Sequence, residues 1–265
     1  MDHHLPTLRS VLTVCLLLPS VRPLAAQDAR DHVALGTAAM QVHDLSTALA
    51  HYDAALALDS LSYEANWRAA LALLTEGEQI PDSARSPVRD SLYDRAERLA
   101  RRAVAADSMG ADGHFALAAA VGRSALTEGK KERIRRAKII RDEAQRAIAL
   151  DPRQDGAWHI LGRWNAEIMR LSGLSRFFAK KFLGAGIFGQ ASWAEAVSDM
   201  QRAVTLDPGR IYHRLELAEI YVDRKRYDDA RSELARLAAL PDREIMDSVY
   251  RREGAALTAK IAGKR

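Results

Sequence analysis

The 265-residue sequence has one cysteine, eight prolines and few aromatic residues, which make up 6% of the chain. The cysteine, Cys15, lies in a short apolar stretch near the N-terminus, so the remainder of the chain has no thiol. This excludes a disulfide framework, thiolate metal sites and cysteine nucleophiles from that remainder. With 48% hydrophobic residues and so few prolines, the chain is suited to closely packed helices.

The chain also lacks a strong excess of either charge, since it has 39 basic and 35 acidic residues and a formal net charge of +4. The two signs are mixed along the chain, which is typical of solvated helix faces and not of a nucleic-acid footprint. The eight histidines are scattered without the spacing of metal ligands, and no nucleophile and base stand out as a pair. We therefore predict no catalytic residue, no metal, no cofactor and no nucleic-acid partner.

Long hydrophobic runs are missing too. The N-terminal run from Val11 to Leu18 has eight residues, ends at Pro19, and is followed by the small residues Ala25 and Ala26. A membrane span needs about 20 residues, so a secretory signal cleaved near Ala26 is favoured over the alternative of a membrane anchor. We expect residues 1–26 to be removed, leaving an exported chain without a transmembrane anchor in the periplasm or outside the cell.

Strand patterns are few, because hardly any segment alternates apolar and polar residues or clusters β-branched ones. What recurs instead is one helix ending, found at Ala55–Ser60, Ala103–Ser108, Ala147–Pro152 and Ala203–Pro208. The first alanines of these phrases are 48, 44 and 56 residues apart, whereas a tetratricopeptide repeat has a period of about 34. The sequence predicts an all-α chain of stretched tetratricopeptide-like hairpins.

The predicted fold is a right-handed superhelix of about five helical hairpins plus a C-terminal capping helix, which a solenoid needs to cover its open end. It occupies one domain, residues 27–265. The predicted units are 29–62, 63–110, 111–154, 155–210 and 211–241, with the capping helix at 243–262. Units two to four carry insertions, of which the basic one at 127–136 is expected to lengthen a helix.

Several phrases of the sequence carry a family resemblance. They are Trp67-Arg68-Ala69-Ala70, the connection Gly129–Ile134, and Trp158–Trp164 followed by Leu171-Ser172-Gly173-Leu174. Together they resemble the regulator of microtubule dynamics family, whose signature is a leucine-glycine-arginine-tryptophan phrase before an enlarged repeat. The resemblance covers about residues 29–248 and implies a curved helical binding domain. Eukaryotic relatives associate with microtubules, and one tethers organelle membranes and carries lipid in this domain; this chain looks like an exported, bacterial-type member.

A binding groove is predicted on the concave face, which the first helix of each unit lines in such a superhelix. The side chains at the inward positions mix aromatic, basic and acidic groups, a surface suited to an extended peptide or a short helix. These residues are Trp67, Phe115, Arg123, His159, Arg163, Glu167, Tyr212 and Glu219. The alternative is that the aromatic residues only pack the core and that Arg163 pairs internally, with Glu167 one turn away.

The longest insertion, 171–191, concentrates four of the five phenylalanines among basic residues. Its candidate membrane or lipid residues are Phe177, Phe178, Lys180, Lys181 and Phe182. One hypothesis is an element that touches a membrane surface or closes over a lipid chain. The other is a helix that folds back over the groove.

The leading functional hypothesis is a non-enzymatic scaffold that binds a protein or peptide segment in its groove. The alternative is a lipid-binding or membrane-contact module that uses the same cavity and takes phospholipid as its ligand. An enzyme ranks third, since no catalytic constellation can be nominated.

Overall fold

The computed structural model describes residues 22–81, 86–125, 130–173 and 186–265. These ranges are helical and contain no strand, which confirms the all-α class. No helix within them is long and apolar enough to cross a bilayer. The helices are α1 Arg22–Gln41, α2 Leu45–Leu58, α3 Tyr63–Glu78, α4 Pro87–Ala106, α5 Ala111–Ser124, α6 Lys130–Leu150, α7 Asp155–Arg170, α8 Trp193–Leu206, α9 Ile211–Asp223, α10 Tyr227–Ala239 and α11 Asp247–Ile261, with a 3₁₀ turn at Gly186–Gln190.

The helices form five antiparallel hairpins, from α1 and α2 to α9 and α10, and α11 follows as a single helix. First helices approach one another directly, α3 with α5, α5 with α7 and α7 with α9. Consecutive second helices make no comparable contacts in the described ranges. The stack therefore curves with its first helices inside, and the predicted solenoid with a C-terminal capping helix is confirmed.

The recurring helix ending is explained by local hydrogen bonds and close packing. The carboxylates of Asp59, Asp107 and Asp207 each accept a backbone N–H from the residue two positions later, at 2.9–3.1 Å. This is an Asx turn, which ends one hairpin and redirects the chain into the next. The alanines four residues before these aspartates, such as Ala55 and Ala203, are 0% exposed because helices cross there.

Two insertions lengthen second helices. α4 and α6 have 20 and 21 residues, against 14 for α2 and α8. α4 begins with Pro87 after Ser86, whose hydroxyl accepts the N–H of Arg89 at 3.2 Å. Proline fits the first turn because the N–H it lacks would have no helical partner there. The described part of the basic insertion, residues 130–136, forms the start of α6, as the sequence predicts.

Aromatic rings pack on glycines within and between the hairpins. A Cβ atom added to Gly36 would lie 2.5 Å from the ring of Tyr52, and one added to Gly77 would lie 2.3 Å from the ring of Tyr93. Both tyrosines are 2% exposed. The missing side chain at each glycine thus lets the ring lie flat between the two helices of its hairpin.

The C-terminal part of the chain, α11 with the connection that precedes it, contacts both the end and the beginning of the stack. Gly254 of α11 packs on Leu237 of α10. On the other side, the His43 Nε2–H donates to the carbonyl of Arg243 at 3.0 Å, a contact between residues 200 positions apart. His43 has a φ of 62°, a left-handed conformation in the turn that follows α1.

Candidate functional site on the concave face

The concave face carries a chain of polar contacts that joins four first helices to α11. At one end, Arg123 of α5 forms an ion pair with Glu78 of α3. The Tyr250 hydroxyl of α11 donates to the second oxygen of Glu78 at 3.1 Å. Burial, the largest single effect, would lower the pKa of Arg123, but the Glu78 carboxylate and the nearby tyrosine hydroxyls together outweigh it, and the pKa is raised. Arg123 therefore stays charged in a nearly closed environment.

Arg163 of α7 continues the chain into α9. Its guanidinium is 3.0 Å from the Glu216 carboxylate and donates to the Tyr212 hydroxyl. The Tyr212 ring stacks on Tyr250, with centroids 4.3 Å apart. Arg163 does pair internally, as one of the two hypotheses expected, but its partner is Glu216 and not Glu167. We refer to these side chains with Arg123 and Glu78 as the inner network.

A more accessible cluster lies beyond the inner network, near the C-terminal ends of α7 and α9. Arg170 contacts three carboxylates: Glu167 at 2.7 Å, Asp223 at 2.8 Å and Glu219 at 3.8 Å. The side chain of Glu167 is 55% exposed and that of Glu219 is 42% exposed. We call these four residues the rim cluster; it has three carboxylates and one guanidinium.

The excess of carboxylates changes the titration of Glu219. Burial, with the neighbouring carboxylate of Glu216 as the second cause, raises the pKa of Glu219 to about 7. Arg170 and Arg163 oppose this shift and do not cancel it. One oxygen of Glu216, Oε2, is buried without a donor among the described residues. This end of the groove therefore has acceptor capacity that the described side chains leave unused.

His159 lies under the inner network as part of a second hydrogen-bonded chain. Asp155 accepts from His213 Nε2 and from Arg210 Nη1, both at 2.8 Å. His213 Nδ1 is 2.9 Å from His159 Nδ1. Because His213 donates through Nε2, its neutral form accepts at Nδ1, and His159 is the donor of that bond. The pKa of both histidines is lowered, chiefly by burial.

Acidification is expected to destabilise the protein through this histidine pair. Because the folded protein keeps both histidines neutral, their contribution to the free energy of unfolding is fully present above about pH 6.5, the ordinary pKa of histidine. It is lost as the pH falls below that value. Between pH 7.5 and 5.5, wild type should lose about 1 kcal/mol more unfolding free energy than His159→Asn, whose amide can replace the Nδ1–H donor. Urea unfolding at the two pH values measures this difference, and an equal loss in both proteins would contradict it.

Two of the predicted groove residues, Trp67 and Phe115, are half-buried and serve packing contacts. Trp67 lies against the core of the first three hairpins, and the guanidinium of Arg68 sits 4.3 Å from its ring centroid. The ring of Phe115 lies on Gly156, where an added Cβ would approach it to 2.4 Å. Of the eight predicted residues, Arg123, His159, Arg163 and Tyr212 meet around the inner network, and Glu167 and Glu219 meet through Arg170.

Sequence reasoning missed Glu78, Glu216 and Tyr250, the partners that complete the inner network. Glu78 is the last residue of α3, beside the first insertion, and Tyr250 belongs to the capping helix. Neither would be assigned to the groove by repeat position. Glu216 lies on α9 four residues after Tyr212, one helical turn along, which could have indicated it.

The candidate lipid residues Phe177, Phe178, Lys180, Lys181 and Phe182 lie outside the described residues, so lipid binding stays a prediction. Phe188, at the end of the same insertion, is described: it is 4% exposed and meets the edge of Trp164 at 6.2 Å between centroids. Within the described ranges, no group of three or more His, Cys, Asp or Glu side chains could hold a metal ion.

Comparisons with known proteins identify the family and the kind of fold. A family model described as "Regulator of microtubule dynamics protein 1-3" matches residues 33–262. A solved structure of a thermophilic TPR protein of Thermus thermophilus is 17% identical and has a TM-score of 0.61, with 86% of this chain and 99% of that chain covered. The pilF protein of Pseudomonas aeruginosa is 18% identical, with a TM-score of 0.49 and coverages of 92% and 95%. No curated protein matches the sequence.

Proposed function

The chain belongs to the regulator of microtubule dynamics family, and we propose that it is a non-enzymatic scaffold whose concave groove binds a basic segment of another protein. The observation that carries this proposal is the unbalanced charge at the α7 and α9 end of the groove. Four carboxylates, those of the rim cluster and Glu216, face the two guanidiniums of Arg163 and Arg170. A tetratricopeptide fold is the protein-interaction kind of scaffold, which supports the same function.

The inner network supports this proposal by keeping the groove rigid. Arg163 of α7 contacts two side chains of α9, and Tyr212 of α9 stacks on Tyr250 of α11. A surface whose side chains are already ordered loses little conformational entropy when a ligand binds. The rim cluster then provides the accessible charges, and a lysine or arginine of the partner would offset the repulsion between Glu219 and Glu216.

The direct test is site-specific photo-crosslinking in the native compartment. A crosslinker at Leu171, which is 39% exposed and directly follows Arg170 of the rim cluster, is compared with one at Met109, which is 65% exposed in the turn between α4 and α5. Mass spectrometry identifies the captured segment, which is then synthesised for titration calorimetry. Capture from Leu171 and not from Met109, with a basic segment, supports the proposal. Equal capture from both positions would contradict it.

The charge argument predicts a specific effect of Glu219. Glu219→Gln should weaken binding of the synthetic segment about fivefold at pH 8, since a solvent-exposed ion pair contributes up to about 1 kcal/mol. Wild-type affinity should rise between pH 6 and 8, because Glu219 loses its proton around pH 7 and only the carboxylate attracts a cation. The variant should lack this rise. Titration calorimetry across the pH range measures both effects.

A matched control is Glu64→Gln, which removes a carboxylate from α3 that is 50% exposed and pairs with Arg68. It should leave the affinity unchanged. The same affinity in wild type and Glu219→Gln at every pH would overturn the role of the rim cluster. Phospholipid in organic extracts of the purified protein, displaced by no peptide, would favour the lipid-binding alternative instead.

We also propose that the protein acts outside the cytoplasm after cleavage near Ala26. Among the described side chains of α1, the first buried ones are Ala29 and Val33, 2% and 4% exposed, and both follow the proposed cleavage site. N-terminal sequencing of the protein from the cell envelope tests this. A chain that still begins at residue 1 would contradict it.

A further inference from the structure

A cavity separate from the concave groove lies on the outer side of the superhelix. It has a volume of about 500 Å³ and lies between α6 and α8, with α7 as its floor. Trp158, Leu161 and Trp164 supply an apolar and aromatic wall, while Glu195 and Asp199 supply carboxylates from α8. The volume falls in the range of small-ligand sites, and the mixture suits a ligand with an apolar stem and a charged end.

Asp199 is the unusual group in this cavity, because it is 7% exposed and forms no ion pair with a cation among the described residues. Among the described residues, Asp199 accepts a hydrogen bond from the neutral amide of Asn165, with 3.1 Å between Asn165 Nδ2 and Asp199 Oδ2. The single oxygen of that amide, Oδ1, accepts from the Ser192 N–H at 3.3 Å, which directs the NH₂ towards Asp199. Arg141 lines the same cavity but forms no ion pair with Asp199 among the described contacts; it donates to Gln190 at 2.5 Å.

The repeat shows that packing alone does not call for a carboxylate here. Aligning the helix endings at Ala103 and Ala203 places Leu99 of α4 at the position of Asp199, and Leu99 is equally buried at 4%. In α6 the same position is Glu143, which contacts His114 at 2.6 Å. Glu143 thus has a histidine partner that can carry a positive charge, whereas the Asn165 amide that contacts Asp199 cannot. The same alignment puts Arg95 of α4 at the position of Glu195. The cleft beside α4 therefore has a positive charge where the cavity beside α8 has a negative one.

We propose that this cavity binds an alkylammonium or guanidinium group, with Asp199 as its counter-ion, Glu195 at the entrance and the indoles of Trp158 and Trp164 against its stem. A desolvated carboxylate stabilises a cation strongly, and aromatic faces attract cations and cover methylene groups at once. Burial, with Glu195 as the second cause, raises the pKa of Asp199 to about 6, which is consistent with a carboxylate that lacks a positive partner. The group can come from a lysine or arginine side chain of a protein or from a free amine.

The experiment uses n-butylammonium chloride as the probe and 1-butanol as its neutral analogue. Binding is followed by NMR through the indole N–H signals at pH 7.5. Butylammonium should give saturable shifts at Trp158 and Trp164 and none at Trp67, and 1-butanol should bind at least tenfold more weakly. Asp199→Asn should weaken butylammonium binding at least tenfold, and wild-type binding should weaken between pH 7.5 and 5.5.

Asp53→Asn is the matched control, because Asp53 lies in the corresponding cleft between α2 and α4 but pairs with Arg95 there. It should bind the probe as wild type does. Should Asp199→Asn not fold, Asp199→Leu copies the residue that α4 carries at this position. Equal binding of 1-butanol, no saturable shift in wild type, or unchanged affinity in the Asp199 variant would each overturn the proposal.

Two further ligands separate the sources of the cation. N-acetyl-lysine methylamide represents a side chain of a protein, and spermidine represents a free amine. Tighter binding of the first supports a protein side chain as the occupant, and tighter binding of the second supports a free polyamine. Binding of neither would overturn the proposal.

Discussion

Replacing Gly162 with valine lowers the free energy of unfolding by about 3 kcal/mol, because α7 and α8 cross at this residue without room for a branched side chain. A Cβ atom on Gly162 would lie 3.0 Å from the backbone N of Met200 and 3.2 Å from the carbonyl oxygen of Ala196. Both are backbone atoms of α8, so no rotamer change relieves the contact and the helices must separate. Urea unfolding followed by far-UV circular dichroism measures the loss.

Gly162→Ala serves as a graded variant. Alanine favours a helix over glycine by about 1 kcal/mol, so any net destabilisation comes from the helix crossing. We expect a loss of about 1 kcal/mol. Gly263→Ala is the control, since a Cβ there meets nothing within 4 Å, and it should change stability by less than about 0.5 kcal/mol. Wild-type stability in Gly162→Val would contradict the close crossing.

Replacing Arg163 with methionine lowers the free energy of unfolding by about 2–3 kcal/mol, because it leaves Glu216 buried without its positive partner. The Glu216 side chain is 6% exposed, and its second oxygen already lacks a donor among the described residues. The effect stays below that of a fully buried pair because the Arg163 side chain is 36% exposed and partly screened by water. The same urea titration measures it.

The double variant Arg163→Met with Glu216→Met separates this cause from a loss of packing. Removing both charges removes the uncompensated carboxylate, so the double variant should regain at least half of the stability lost in Arg163→Met. Lys138→Met is the control: Lys138 and its partner Asp142 are 63% and 44% exposed, and the change should be within about 0.5 kcal/mol. A double variant less stable than Arg163→Met would show that packing dominates.

The fold was largely predictable because its signals are local. Asp59 and Asp207 end their hairpins through hydrogen bonds to N–H groups only two residues away. Ser192 caps α8 through the N–H of Glu195, three residues on. A local hydrogen bond depends on a few neighbouring residues, so the sequence pattern is enough to place it.

The groove was predictable in its residue types and not in its contacts. Repeat position correctly indicated that Arg123, Arg163 and Tyr212 share a face, because each lies on a first helix. Sequence spacing suggested Glu167 as the internal partner of Arg163, because it identifies only neighbours one turn apart on the same helix. That suggestion was wrong. Glu216 belongs to the next hairpin, and the rotation between hairpins decides that it lies closer.

The sequence by itself determined the helices, their turns, the order of the hairpins and the family, because caps, Asx turns and small crossing residues act over a few positions. Only the tertiary structure decided which charges meet. Tyr250 and Glu78 are 172 residues apart and His43 and Arg243 are 200 apart, yet both pairs are hydrogen-bonded. Small rotations between successive hairpins add up over the whole stack, and their sum is not written in any one segment. The same holds for Asp199, whose carboxylate forms no ion pair with a cation among the described residues: its burial results from three helices packing together.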